Sequence, residues 1–170
     1  MPPFAIANRI KIRHTQNAME RLQEAHKVMG ISNRLSEYLE TAFNQWAKVR
    51  ITDEKVKQLI QLAMVPNKEV LHNIHSGSSD ELSTTFKNVC DIVYEYALTS
   101  PTQQTDTTKG TVFGAYNAIT GYFQNVRNYK NEEAKLKSLM FCGTGQLRTQ
   151  KAFNLCEDYV LKGDDAFTLN

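Results

Sequence analysis

The pattern of apolar residues predicts an all-α protein, about seven helices in an orthogonal or antiparallel bundle behind a short extended amino-terminal arm. Two observations carry that reading. Apolar side chains return at spacings of three and four along most of the chain, and capping residues, glycines and prolines punctuate the periodic stretches at helix-length intervals. One segment alone, Arg9-Ile10-Lys11-Ile12-Arg13, alternates basic and apolar residues with the period of two that suits a strand or an extended arm. At 170 residues the chain fits one domain, expected over 12–161, with the arm at 1–11 and a frayed tail at 162–170.

The elements follow in order. Thr15 can cap a first helix, whose Ala18, Leu22, Ala25 and Val28 or Met29 share a face and whose natural stop is Gly30. Ser32 caps a second, carried by Leu35, Leu39, Ala42, Phe43, Trp46 and Val49. Thr52, Asp53 and Glu54 open a third, with carboxylates at its positive end, Val56, Leu59, Ile60 and Ala63 facing inward and Pro66 closing it. Turns of two or three residues between these helices predict antiparallel neighbours. Asn67 to Ser79 reads as a connection, and a fourth helix runs from Asp80 to Pro101. Thr102 to Gly110 has no apolar residue and is expected to be a mobile loop. A fifth helix spans Thr111 to about Asn125, a sixth Asn131 to Phe141, and a seventh about Gln146 to Leu161 after the break at Gly143-Thr144-Gly145.

Composition excludes several classes. Apolar residues at 41% and charged residues at 22% support a core and argue against disorder. No run reaches the roughly 20 apolar residues of a membrane span. Met1 to Ala7 is too short and uncharged for a secretory leader, so a soluble, cytoplasmic protein without membrane partners is expected. Cys90, Cys142 and Cys156 are odd in number and widely spaced, which suits free thiols. His72 and His75 stand three apart but lack an acidic or thiol ligand alongside, so no metal and no cofactor is expected. The carboxylate pairs Asp53/Glu54, Asp80/Glu81 and Glu132/Glu133 each open a helix, where the macrodipole explains them, and no nucleophile elbow, H-E-x-x-H or phosphate loop occurs. No catalytic residue emerges, and a non-enzymatic protein is favoured over an enzyme.

Three features can still bind something. Gly143, Thr144 and Gly145 feed a helix start, which suits either a tight corner or an anion seat, with Arg148 and Lys151 following. Gly114, Asn117 and Gly121, with Thr120 beside them, make one face of the fifth helix small and polar. That face suits close helix packing with Asn117 hydrogen-bonding across it, or a partner groove. A net charge of +2 says little, but six basic residues against two acidic ones lie between Val126 and Lys151, and the arm adds Arg9, Lys11 and Arg13. If these segments meet, Arg9, Lys11, Arg13, Arg127, Lys130, Arg148 and Lys151 form a phosphate-tracking surface. Tyr122, Phe123 and Tyr129 interleave with those charges, at a spacing equally suited to core.

Three runs resemble a known family. They are Ile12-Arg13-His14-Thr15 with Ala18, Arg21-Leu22, Glu24-Ala25 and Gly30; Gly110 through Thr120; and Phe141-Cys142-Gly143-Thr144-Gly145 with Leu147 and Ala152. Together they are similar to the carboxy-terminal part of the phage/plasmid-like protein family, domain of unknown function 932, over about Ile12 to Leu161. Phe113 stands where that family leads one to expect tryptophan, and Gln124 and Asn125 replace charged residues. The resemblance implies a setting of phages and plasmids, a longer relative with a preceding amino-terminal domain, and no particular reaction. The leading expectation is a non-enzymatic nucleic-acid-associated module whose partner is DNA or a nucleic-acid-processing protein. The alternative is a protein-interaction or self-assembly module, a homo-oligomer built through the Gly114 face.

Overall fold

The computed structural model describes residues 18–65, 80–141 and 143–167. Its helices are α1 (Ala18–Trp46), α2 (Asp53–Met64), α3 (Asp80–Thr99), α4 (Val112–Gly121), α5 (Glu132–Met140) and α6 (Thr144–Lys162). Short 3-10 turns at Pro101–Gln103 and Gly163–Phe167 and a π-helical turn at Tyr122–Val126 extend them. The described residues contain no strand, only an isolated bridge between Arg50 and Thr111, so the fold is all-α. The arm at 1–11, with Arg9 and Lys11, lies outside the described residues, as do Arg13, His72 and His75.

The helices are fewer than expected for a physical reason. Gly30 does not end a helix: its backbone is not left-handed, and α1 runs through it for 29 residues. A glycine stop works by taking positive φ. A glycine kept right-handed costs about 1 kcal/mol against alanine, less than the hydrogen bonds forfeited by ending one helix and nucleating another. The three-helix antiparallel start that depended on a turn there is therefore not formed.

The chain divides into two compact units, residues 1–44 and 45–170. In the first, Leu35, Leu39, Ala42 and Phe43 of α1 are half-buried while Met29 and Tyr38 are exposed. The second unit has a defined core. In it α6 packs on α2, α4 and α5, and α3 lies against α2 and α4. Leu59, Ile60 and Ala63 of α2, Val93 of α3, Val112, Ala118 and Ile119 of α4, and Ala152 and Cys156 of α6 are sealed from solvent. Trp46 joins them, its indole 5.6 Å from the Tyr116 ring and 4.9 Å from Phe153.

Capping sets the helix starts. Thr52 Oγ1 accepts from the Lys55 N–H at 3.3 Å, Thr111 Oγ1 from Gly114 N–H at 3.1 Å, and Asn131 Oδ1 from Ala134 N–H at 2.8 Å. Gly163, at φ 63°, ends α6 and turns the chain back. Phe167 is then buried, stacked 5.2 Å from Tyr159, where the sequence leads one to expect fraying.

The polar stretch after α3 is not the expected loose loop. Gln103, 2% exposed, donates from Nε2 to the Gly114 carbonyl at 2.7 Å and accepts at Oε1 from Asn117 Nδ2 at 2.6 Å. Thr108 Oγ1 donates to Thr102 O at 3.1 Å and accepts from the Thr105 N–H at 3.2 Å. Gly110 turns with φ +69°, and Ile51 N–H to Gly110 O and Val112 N–H to Val49 O tie the segment to the residues before α2. With no apolar side chain to bury, the segment is held by hydrogen bonds instead.

Two glycines separate by substitution. A Cβ on Gly114 would lie 1.7 Å from the Thr108 carbonyl oxygen, whereas one on Gly30 meets nothing within 4 Å. In urea titrations Gly114→Ala is expected to cost about 3 kcal/mol and Gly30→Ala to add about 1 kcal/mol. Equal effects would mean that the close approach at Gly114 is not what holds the strap.

Candidate functional site

The π-helical turn positions the first functional side chain. Its closing bond, Arg127 N–H to the Tyr122 carbonyl at 2.8 Å, directs the chain out of α4 so that Arg127 leaves the core. The guanidinium then sits 5.6 Å from the Phe123 ring and 5.5 Å from the Tyr129 ring. Tyr129 is itself anchored, its hydroxyl donating to Phe123 O at 2.7 Å. Two aromatic faces thus restrict an exposed arginine, and cation–π attraction lowers the entropy it must lose to hold a ligand.

Arg127 stands at the meeting point of two depressions in the second unit. The larger, a groove of about 780 Å³, runs along α5 between Arg127, Tyr129, Lys130, Lys137, Phe141 and Thr144. Glu133 is its one carboxylate, 3.9 Å from Lys137 in an exposed pair that salt readily screens. Leu136 and Phe141 add exposed apolar surface to its wall, Phe141 at 56%. The smaller, a cleft of about 330 Å³, is lined by Met64, Val89, Tyr122 and Phe123 with Arg127, Thr144 and Arg148. Burial first, and then the charge of Arg127, pushes the Arg148 guanidinium below its ordinary value.

The structure thus brings Arg127, Lys130 and Arg148 to one region. Lys151, expected among them, is spent elsewhere: its ammonium donates to the Val65 carbonyl at 2.7 Å, a carbonyl left over where α2 ends. Arg9, Lys11 and Arg13 fall outside the described residues. Tyr129, Lys137 and Phe141 belong to the groove although their spacing in sequence did not single them out together, because the turn at Asn128 to Asn131 makes them neighbours.

At the α5–α6 corner Gly143 is the N-cap of α6 and has no side-chain cap. A Cβ there would lie 2.4 Å from Ser138 Cα, and the Gly145 N–H donates to Ser138 Oγ at 3.0 Å. Both glycines therefore let two helices touch, and one of the amides offered for an anion at Gly143, Thr144 and Gly145 is already engaged. The glycine face of α4 is also filled by its own unit. The Thr108 carbonyl presses on Gly114, the Tyr96 ring covers Gly121, Gln103 takes Asn117, and Thr120 Oγ1 bonds back to Asn117 O at 3.0 Å. The face considered for packing or a partner groove at Gly114, Asn117, Thr120 and Gly121 is thus packed within the unit at its two glycines, while Asn117 and Thr120 stay half-exposed.

The thiols show the interior. Desolvation first, then Asp91, raises Cys90 from 9.0 to about 12, and burial alone raises Cys156 further. Burial likewise raises Tyr116. Each stays protonated in the fold at pH values where the unfolded chain ionises, so the stability linked to these groups is present below pH 9 and declines as pH rises toward 12. In a Cys142→Ser background, a thiol reagent at pH 8 is expected to find neither remaining cysteine until denaturant is added. Prompt native labelling would contradict the burial.

Comparison with known proteins adds one match. A family model described as a domain of unknown function (DUF932) matches residues 5–140. It covers the two earlier resembling runs and stops before the run at Phe141. Arg127, Lys130 and Lys137 lie within it, and Arg148 lies beyond. No curated protein and no solved structure matches the chain.

Proposed function

The chain belongs to the DUF932 family, and from that premise we propose that it is a non-enzymatic, nucleic-acid-associated protein that holds single-stranded nucleic acid along α5. The phage- and plasmid-borne setting and a cytoplasmic location are part of the same proposal. The observation that carries it is the make-up of the groove: Arg127, Lys130 and Lys137 against the single Glu133, with Tyr129 and the exposed Phe141 between them. Cations spaced along a groove follow a phosphate backbone, and aromatic faces stack bases of any sequence, which favours a single strand over a duplex. The rigid Arg127, held by two rings, serves as the fixed contact.

A second reading has its own support. Leu136 and Phe141 are 45% and 56% exposed on the wall of the groove, enough apolar surface to dock a protein instead. Light scattering on the wild type and on Phe141→Ser separates the two, since a protein-docking wall predicts a complex or oligomer that the substitution dissolves.

Anisotropy titrations with single- and double-stranded oligonucleotides at about 50 and 200 mM salt test the leading reading. The single strand is expected to bind more tightly, with a log–log salt slope of about −0.7 per phosphate contacted. Arg127→Gln with Lys130→Gln should weaken binding and flatten that slope, and Phe141→Ala should weaken binding at unchanged slope. No binding at the lower salt would end the proposal.

A further inference from the structure

The small cleft beside the groove holds an unusual charge arrangement. Arg127 and Arg148 both line it, close enough for the Arg127 charge to act on Arg148, yet neither guanidinium pairs with a carboxylate among the described residues. Two like charges lining one cleft repel, and the apolar surface of Met64, Val89 and Phe123 beside them weakens the screening on the partly buried Arg148 side. Among the described residues no carboxylate supplies a counter-charge to this pair.

We infer that this cleft seats a phosphomonoester, the phosphorylated end of the strand held in the groove. The inference rests on the single-strand reading for the identity of the ligand and on the cleft alone for its chemistry. Charge selects the monoester: at pH 7 it carries about −1.5 to −2, matching two guanidiniums, whereas an internal phosphodiester carries one negative charge and leaves the pair half neutralised. Shape selects a chain end. Arg127 and Thr144 belong to both depressions, so the groove leads into the cleft. Among the described residues Met64 and Val89 line the rest of the cleft without a side-chain polar group for a continuing backbone. Guanidinium forks suit the planar pairing of phosphate oxygens, and Arg127 is already oriented over Phe123 and Tyr129.

The test uses the full chain and one oligonucleotide sequence with hydroxyl ends, a 5′-phosphate or a 3′-phosphate, titrated at fixed salt. One phosphorylated end is expected to bind about tenfold more tightly than the hydroxyl form. Arg148→Gln should erase that preference, read as the ratio of phosphorylated to hydroxyl-ended affinity in the same variant, and inorganic phosphate should compete away the increment alone. Because Arg148 is partly buried, Arg148→Lys and the exposed Arg127→Gln are measured beside it, with melting curves to confirm folding. Loss of the preference in any folded variant supports the seat. Equal binding of all three ends, or a preference that survives in folded Arg148 and Arg127 variants, overturns it. If no oligonucleotide binds but inorganic phosphate raises the melting temperature of the wild type and not of Arg148→Gln, the seat stands and the groove reading falls.

Discussion

The approach of the Thr108 carbonyl to Gly114 is the constraint on which the second unit depends. A side chain on Gly114 would occupy the space of that oxygen. Its absence lets the polar strap lie flat on α4, where Gln103 reaches the Gly114 carbonyl and Asn117. Thr111 completes the arrangement by donating to Thr107 O at 2.6 Å while capping α4. Buried polar groups are costly when half satisfied, and here each partner serves the next, so the strap substitutes hydrogen bonds for the apolar contacts its composition denies it.

With α4 held from one side by the strap, its other side carries the core. Ala115, Ala118 and Ile119 are buried, and α4 packs on α6. The direction in which α4 ends then decides where Arg127 stands, and the π-helical turn, one residue wider than an α-turn, rotates that side chain out between two rings. Packing and surface chemistry are linked here through a single helix.

The basic residues of this unit divide by what they touch. Lys151 closes a helix end, and Lys55 lies 3.9 Å from Asp164 near the carboxy terminus. Both contribute to the fold. The side chains of Arg127 and Arg148 do neither; both line one cleft, and the charge of Arg127 acts on Arg148. Their placement on one cleft gives the charge distribution a direction that the net +2 of the chain conceals.

The sequence by itself determined the all-α class, the opening of α2 at Thr52, the starts of α4 and α5 near Thr111 and Asn131, and the apolar faces of α2 and α4, because these depend on neighbours three or four residues away. It also exposed the basic bias after Val126 and the motif around Gly114. Gly30 misled it, since a glycine stops a helix only where the backbone turns left-handed, and φ is not written in the residue type. The strap at 101–111 misled it too, since a run of polar residues looks alike whether water or Gln103 and Asn117 satisfy it. Which cations share a cleft and which close a helix end was decided by tertiary structure alone. Arg127 and Arg148 are separated by the whole of α5, and only the packing of α6 beside α4 makes them neighbours.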